Sequence, residues 1–107
     1  MASSREFVDY AVGQMQGAGE IRARPMFGEW GLYGDGVFFA VICDNALFVK
    51  PTPQGRAAFP RLPLAPPYDG AKDYLLVEEL EEREALCRLI RLTCQSLAGK
   101  ANRKRRK

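Results

Sequence analysis

Apolar residues recur at helical spacing near both ends of the chain. Residues 3–16 carry one apolar face at this spacing before a glycine, so they are predicted to form an amphipathic helix, with Ser3 and Glu6 as a capping box at its start. Glu82–Ala98 repeats the pattern behind an acidic first turn, and Gly99 follows it. The pattern therefore predicts one helix at each end of the fold.

Between these helices the chain changes to short stretches rich in aromatic and β-branched residues, separated by Gly-Asp-Gly and Asp-Asn turn sequences. Six of the seven prolines fall within residues 51–67, which predicts a loop with one helical turn at Gly55–Phe59. The predicted fold class is α+β, a two-layer sandwich of an antiparallel β-meander of about five strands with an N-terminal and a C-terminal helix. The predicted strands are Arg22–Phe27, Gly31–Tyr33, Val37–Cys43, Ala46–Lys50 and Tyr74–Glu78.

The central strand is apolar on both sides. Strict alternation places Val37, Phe39, Val41 and Cys43 on one face and Phe38, Ala40 and Ile42 on the other. A strand with one solvated face alternates with polar residues, so this strand predicts that both faces of the sheet are covered. Two alternatives follow: the helices and the proline-rich loop cover the two faces, or a second subunit covers one of them in a homodimer.

Charge is distributed unevenly along the chain. The 16 basic and 13 acidic residues give a net charge of +3, but six basic residues and no acidic one lie at the C-terminus. Removing them leaves 10 basic and 13 acidic residues, a body of net charge −3. We therefore predict a domain over residues 1–99 and a disordered basic tail over residues 100–107. The six basic residues are Lys100, Arg103, Lys104, Arg105, Arg106 and Lys107.

The basic tail is the candidate nucleic-acid contact. A block of like charge attracts phosphate-bearing surfaces, whereas the acidic body offers little electrostatic attraction to them. A solubilising end is an equally weighted alternative for the same six residues.

The composition excludes several kinds of chemistry. The chain has no histidine, which removes Ser-His-Asp and Cys-His nucleophilic sites and histidine-bearing zinc sites. Its three cysteines, Cys43, Cys87 and Cys94, are too few for a four-cysteine zinc site and are predicted to be reduced core thiols of a cytoplasmic protein. The longest apolar run, seven residues, is too short to span a membrane. We predict a non-enzymatic protein with no catalytic residue, cofactor, metal or membrane contact.

A candidate interaction patch is predicted from the most unusual segment of the chain and the strands around it. Cations beside exposed rings suit the stacking of nucleic-acid bases. The alternative is that tight turns position these rings for packing, while the cations are solvated charges at sheet edges. The patch consists of Arg24, Phe27, Trp30, Tyr33 and Lys50.

Seven segments resemble the TfoX N-terminal domain family. They are Arg24-Pro25-Met26-Phe27-Gly28, Gly31-Leu32-Tyr33, Asp35-Gly36, Phe39-Ala40, Leu47-Phe48-Val49-Lys50, Arg56-Ala57-Ala58-Phe59 and Pro67-Tyr68-Asp69-Gly70-Ala71-Lys72. The resemblance implies a two-layer α+β domain and a link to regulators of natural competence, which promote DNA-uptake genes together with a cyclic-AMP-responsive transcription activator. It implies no catalytic residues. At position 29 this chain has glutamate where many members have a second glycine.

These observations lead to one hypothesis and one alternative. The hypothesis is a small interaction domain that regulates transcription or competence through protein contacts, with the tail aiding nucleic-acid binding. The alternative is a stand-alone interaction or housekeeping module that does not contact DNA.

Overall fold

The chain folds into one antiparallel sheet with two long helices, which confirms the predicted α+β class. The computed structural model describes the backbone of residues 2–105 and the side chains of residues 2–99. The strand order is β1-β2-β3-β4-β6-β5. The elements are α1 (Arg5–Met15), a 3-10 turn (Gln16–Ala18), β1 (Ile21–Met26), β2 (Glu29–Gly34), β3 (Val37–Cys43), β4 (Ala46–Val49), α2 (Pro53–Ala58), β5 (Leu64–Ala65), β6 (Tyr74–Val77) and α3 (Arg83–Arg105).

Helix α1 is capped one residue later than the sequence predicts. The Ser4 hydroxyl accepts a hydrogen bond from the Phe7 amide at 3.1 Å, so Ser4 is the N-cap. The predicted cap, Ser3, instead accepts a hydrogen bond through its hydroxyl from the amide of Asn45 at 2.9 Å. A contact distant in the sequence therefore determines which serine caps the helix.

Three two-residue turns join the first four strands. Asp35-Gly36 and Asp44-Asn45 all have positive φ, as the turn prediction requires. The third turn, Phe27-Gly28, has φ values of 50° and 81° and was not predicted, because phenylalanine rarely adopts this conformation. These turns set the strand register and place the β1–β2 hairpin and the β3–β4 turn at the same end of the sheet.

A β-bulge in β3 overturns the predicted alternation of that strand. Leu32 of β2 pairs with Ala40, but the next residue, Tyr33, pairs with Phe38, which leaves Phe39 as the extra residue. Phe39 and Ala40 are both fully buried in the same core cluster. Phe39 therefore does not share a face with Val41 and Cys43, because the bulge rotates the strand at this point.

Both long helices lie on one face of the sheet. The main core lies between this face and the helices and includes Val8, Met15 and Ile90 together with Leu32 and Phe39. A second, smaller cluster lies on the opposite face, which we call the outer face. It comprises Val41, Cys43 and Phe48, with Met26, Phe38, Ala46, Ala65, Tyr74 and Leu76 packed around them.

The outer face is covered by loop rather than by helix. Among the described residues its cluster contains no helical side chain. From the proline-rich segment and the loop that follows, Pro67 and Tyr68 line part of this face. The helices thus cover one face of the sheet, and homodimerisation through the other stays a prediction.

The proline-rich region contains more structure than one helical turn. Helix α2 begins at Pro53, where Thr52 accepts a hydrogen bond from the Gly55 amide at 3.0 Å. The two-residue strand β5, which the sequence does not predict, pairs with β6 at the edge of the sheet. Prolines are tolerated beside an edge strand because no further ladder bond is required of them.

Helix α3 is longer than predicted. It continues past Ala98 and Gly99 to Arg105, through a stretch of alanine, lysine and arginine that favours helix. Residues 100–105 thus have helical backbone where the sequence predicts the start of a disordered basic tail, and the side chains of residues 100–107 lie outside the described residues. Within residues 2–105, no helix is long and apolar enough to cross a membrane.

Phe39→Ala is expected to lower the free energy of unfolding by about 3–5 kcal/mol, because Phe39 is fully buried at the bulge between sheet and helices. Phe38→Ala, on the half-buried outer face, is the matched control and is expected to cost less. Chemical denaturation of both variants measures the difference. If both variants lose the same free energy of unfolding, Phe39 is not central to the core.

Candidate interaction site

Three of the five predicted patch residues are brought together on the outer face, through a fourth side chain that was not predicted. The Arg24 guanidinium lies 5.7 Å from the centroid of the Tyr33 ring. That ring packs on Phe38 with a centroid distance of 5.4 Å, and the Lys50 ammonium lies 4.4 Å from the Phe38 centroid. We call Arg24, Tyr33, Phe38 and Lys50 the cation–aromatic row.

The strand geometry produces this row. Because of the bulge, Tyr33 of β2 lies directly opposite Phe38 of β3, and cross-strand aromatic pairs stabilise such positions. Each ring then carries a cation, a favourable arrangement for Lys and Arg over aromatic faces. Burial lowers the pKa of the Lys50 ammonium, consistent with its position against Phe38. Arg24 and Lys50 are thus already stacked on aromatic rings of their own chain.

Trp30 belongs mainly to the other side of the sheet. Its side chain packs against the main core, and the Arg5 guanidinium of α1 lies 5.4 Å from its ring. Trp30 precedes Tyr33 by three positions, so an alternating strand directs the two rings to opposite faces. The structure therefore does not place Trp30 in the cation–aromatic row.

Phe27 stands at the tip of the β1–β2 hairpin with its side chain fully exposed, at 101% of the reference area. Its φ of 50° lies in the left-handed region, where a bulky residue costs about 1–3 kcal/mol. Gly28 completes the turn at φ 81°. Neither core packing nor turn geometry accounts for an aromatic side chain here, since asparagine forms this turn more easily.

Glu29 ties the hairpin to two other parts of the chain. One carboxylate oxygen accepts a hydrogen bond from the Ser3 amide at 2.9 Å, and the other accepts one from the Asp44 amide at 2.8 Å. Partial burial pushes the pKa of Glu29 up, but these amide donors outweigh it and hold the pKa below the ordinary 4.5. Glu29 is therefore ionised at neutral pH.

The residues around Glu29 complete a closed network. The Asn45 amide donates to the Ser3 hydroxyl at 2.9 Å, and the Ser4 amide donates to the Asn45 side-chain oxygen at 2.8 Å. We call Ser3, Ser4, Glu29, Asp44 and Asn45 the clasp. It fixes the start of α1 and the β3–β4 turn beside the hairpin tip.

A groove of about 600 Å³ opens beside the clasp on the outer face. Its walls are the β1–β2 hairpin, the end of β3 and the loop that carries Tyr68. It is lined by Met26, Phe27, Glu29, Trp30, Phe38, Val41, Cys43, Asp44, Pro67, Tyr68 and Tyr74. The groove thus joins predicted patch residues Phe27 and Trp30 to residues that the sequence did not single out.

The three cysteines are free thiols in protected positions. Cys43 and Cys87 are buried, and Cys94 is half-buried against the main core. Burial, with Asp35 contributing, raises the pKa of Cys94 to about 11. Burial also raises the pKa of Cys43, and the charges of Glu29 and Asp44 add to it. A thiol with a raised pKa holds little thiolate at neutral pH and is a poor nucleophile.

The described residues hold no group of three His, Cys, Asp or Glu side chains arranged to bind a metal ion. The predicted nucleic-acid contacts, Lys100, Arg103, Lys104, Arg105, Arg106 and Lys107, have side chains outside the described residues. What the structure offers as a site is therefore the outer face, with its row, its groove and the hairpin tip.

Comparison with known proteins identifies the family. The profile of the TfoX N-terminal domain matches residues 13–97, most of the chain and every strand of the sheet. The chain belongs to the TfoX N-terminal domain family. The match confirms the resemblance carried by the segment that includes Phe27 and Gly28, and it indicates a small competence-related domain. The TfoX N-terminal domain is not known as an enzyme family.

A curated relative matches over nearly the same span. It is a Spirochaeta aurantia protein described as "Uncharacterized 12.7 kDa protein in trpE 5'region". The two chains are 34% identical over 105 residues, which cover 97% of this chain and 91% of the relative.

Glu29→Gln is expected to destabilise the domain by about 1–2 kcal/mol at neutral pH, because the carboxamide keeps one acceptor oxygen but places an NH2 donor opposite the second backbone amide. Since the folded-state pKa of Glu29 is lowered, its contribution is complete above 4.5 and is lost as pH falls through the folded pKa. The stability gap between wild type and variant should therefore narrow in acid.

Thermal unfolding of both proteins between neutral and acidic pH measures this gap. Glu6→Gln, at an exposed position in the first turn of α1, is the control and should show no comparable gap. If the stability difference between wild type and Glu29→Gln stays constant as the pH falls, the Glu29 carboxylate does not stabilise the clasp.

Proposed function

We propose that this domain is a non-enzymatic interaction module that regulates transcription or competence by contacting a protein partner, with its basic C-terminal segment assisting contact with nucleic acid. The partner that the family resemblance implies is a transcription activator. The proposal includes a cytoplasmic location, which the three free thiols favour.

The exposed tip of the hairpin carries the proposal. Phe27 combines full exposure with a strained backbone, and strained residues cluster at functional sites. Exposed aromatics are also the residues that most often anchor protein interfaces. The neighbouring groove supplies apolar surface beside the ring, so a partner that covers the tip also covers part of the outer face.

The basic segment supports the nucleic-acid part of the proposal. Six basic residues without an acidic one form a block that attracts phosphates, whereas the rest of the chain has a net charge of −3. The cations of the cation–aromatic row are stacked on rings of their own chain. The proposal therefore assigns DNA binding to the segment rather than to the sheet.

One observation favours a second candidate, a stand-alone module that does not contact DNA. The Spirochaeta aurantia relative is itself a 12.7 kDa protein that this match covers over 91% of its length. A protein of that size consists of little besides this domain, which suits a module that acts through its surface alone.

Phe27→Asn is expected to abolish capture of the partner without weakening the fold. Asparagine suits positive φ, so the variant should be as stable as the wild type or gain about 1 kcal/mol. Immobilised wild type and variant are compared in the native cell extract by quantitative mass spectrometry. Proteins that bind the wild type should be reduced at least tenfold on the variant.

Tyr10→Ala is the matched control, since Tyr10 is a part-exposed aromatic on α1, away from the hairpin. Its captured proteins should equal those of the wild type. If Phe27→Asn captures the same proteins at the same level, the hairpin tip is not the protein contact.

Replacing the six basic residues of positions 100–107 by glutamine in the full chain is expected to remove salt-dependent binding to duplex DNA. For the wild type, each neutralised phosphate should add about −0.9 to the slope of log K against log salt concentration. Fluorescence anisotropy over a salt series measures both proteins. Equal slopes would show that residues outside the segment bind DNA, whereas no binding by either protein would favour the stand-alone module.

A further inference from the structure

The groove on the outer face has an unusual lining for a protein with a basic end. Four aromatic residues of the outer face line it, Phe27, Phe38, Tyr68 and Tyr74, and Trp30, whose ring packs against the main core, borders it. Two carboxylates, Glu29 and Asp44, lie at its hairpin end, and neither a lysine nor an arginine is among its lining residues. Its volume of about 600 Å³ is within the range of small-ligand pockets.

The two carboxylates give the groove a negative charge. Glu29 accepts amide hydrogen bonds, which stabilise its charge without neutralising it. Asp44 is exposed and makes no ion pair within residues 2–99. Both charges contribute, after burial, to the raised pKa of Cys43, so their fields reach the same part of the groove.

Three basic side chains of β1 and of the residue after β4 are engaged elsewhere. Lys50 lies over Phe38, and Arg24 lies over Tyr33, but neither lines the groove. Arg22 is paired with Glu20 at 2.6 Å. Lys50 therefore already covers one ring of the groove, Phe38, while Glu29 and Asp44 form no ion pair within residues 2–99.

We propose that this groove binds an arginine or lysine side chain, flanked by apolar residues, that a partner protein inserts between the hairpin and the Tyr68 loop. This inference deepens the proposed function by naming the chemistry of the contact. Aromatic faces attract cations, and nearby carboxylates add to the attraction.

The two exposed aromatic walls of the groove fit a cation that belongs to a protein better than a free small cation. Phe27 is fully exposed and Tyr68 is 62% exposed, so both rings extend beyond the floor formed by Val41 and Cys43. A lone ion would leave most of their apolar surface in water, whereas apolar neighbours of an inserted side chain would cover it. Exposed aromatic walls beside two carboxylates thus fit a side chain within a polypeptide segment.

Isothermal titration calorimetry provides the readout, because the single tryptophan, Trp30, packs its side chain against the main core on the other side of the sheet. The probes are two capped tripeptides, Leu-Arg-Leu and Leu-norleucine-Leu, titrated into the full-length protein. The arginine peptide should bind about tenfold more tightly than its neutral counterpart, and the difference should shrink in high salt.

Two variants test the groove itself. Asp44→Asn keeps a residue that tolerates positive φ and should weaken the arginine peptide about threefold. Tyr68→Ala removes one wall and should weaken it about fivefold. Asp35→Asn, in the equivalent turn at the other end of the sheet, and Tyr10→Ala are the matched controls and should leave affinity unchanged.

Equal affinity for both peptides, or an arginine preference that Asp44→Asn leaves intact, would overturn the proposal. Tighter arginine-peptide binding after neutralisation of residues 100–107 would show that the chain's own basic segment competes for the groove, which also overturns the assignment to a partner protein. These results are separable from the proposed function. If Phe27→Asn still abolishes protein capture while the groove shows no cation preference, the interaction module stands and this inference fails.

Discussion

The bulge in β3 determines what each face of the sheet presents. By inserting Phe39 as an extra residue, it directs two consecutive side chains, Phe39 and Ala40, towards the helices. A regular strand would direct one of them away, and the contact between the sheet and α1 and α3 would lose a fully buried residue. The same insertion returns Phe38 and Val41 to the outer face. Packing of the main core and composition of the opposite surface therefore follow from one irregularity.

The outer face is stabilised without a second layer. Cations cover its rings at one end, where Arg24 and Lys50 lie over Tyr33 and Phe38. Loop residues line it at the other end, where Pro67 and Tyr68 border the groove. These contacts bury the centre of the outer face, including Val41 and Cys43, but leave the rings of Phe27 and Tyr68 exposed to solvent. A surface of this kind remains folded in water and still retains apolar area for binding.

The sequence predicts the parts of this fold that depend on local spacing. Helical periodicity locates α1 and α3, and turn-forming residues locate the Asp35-Gly36 and Asp44-Asn45 turns. The bulge escapes prediction because Phe39 is neither a glycine nor another residue that marks such a site. The Phe27-Gly28 turn escapes for a related reason, since a phenylalanine before glycine is typical of a strand end rather than of positive φ.

The site is less predictable than the fold because its contacts are distant in the sequence. Arg24, Tyr33 and Lys50 were predicted to belong together, but the ring that joins them, Phe38, depends on the bulge. The partners of Glu29 come from the N-terminus and from the β3–β4 turn. No spacing rule relates such segments before the chain has folded. Tyr68 likewise reaches the groove only through the path of its loop.

Glu29 links the position of the hairpin tip to the electrostatics of the groove. Its carboxylate anchors the first residue of β2 to Ser3 and Asp44, so the turn formed by Phe27 and Gly28 is held from one side. Rigid support of this kind is what allows a strained residue to persist. A glycine at position 29 would permit the turn but would remove both the anchor and one of the groove's two charges. The carboxylate that fixes Phe27 in place thus also determines which ligands the groove attracts, and the two properties cannot be changed independently at this position.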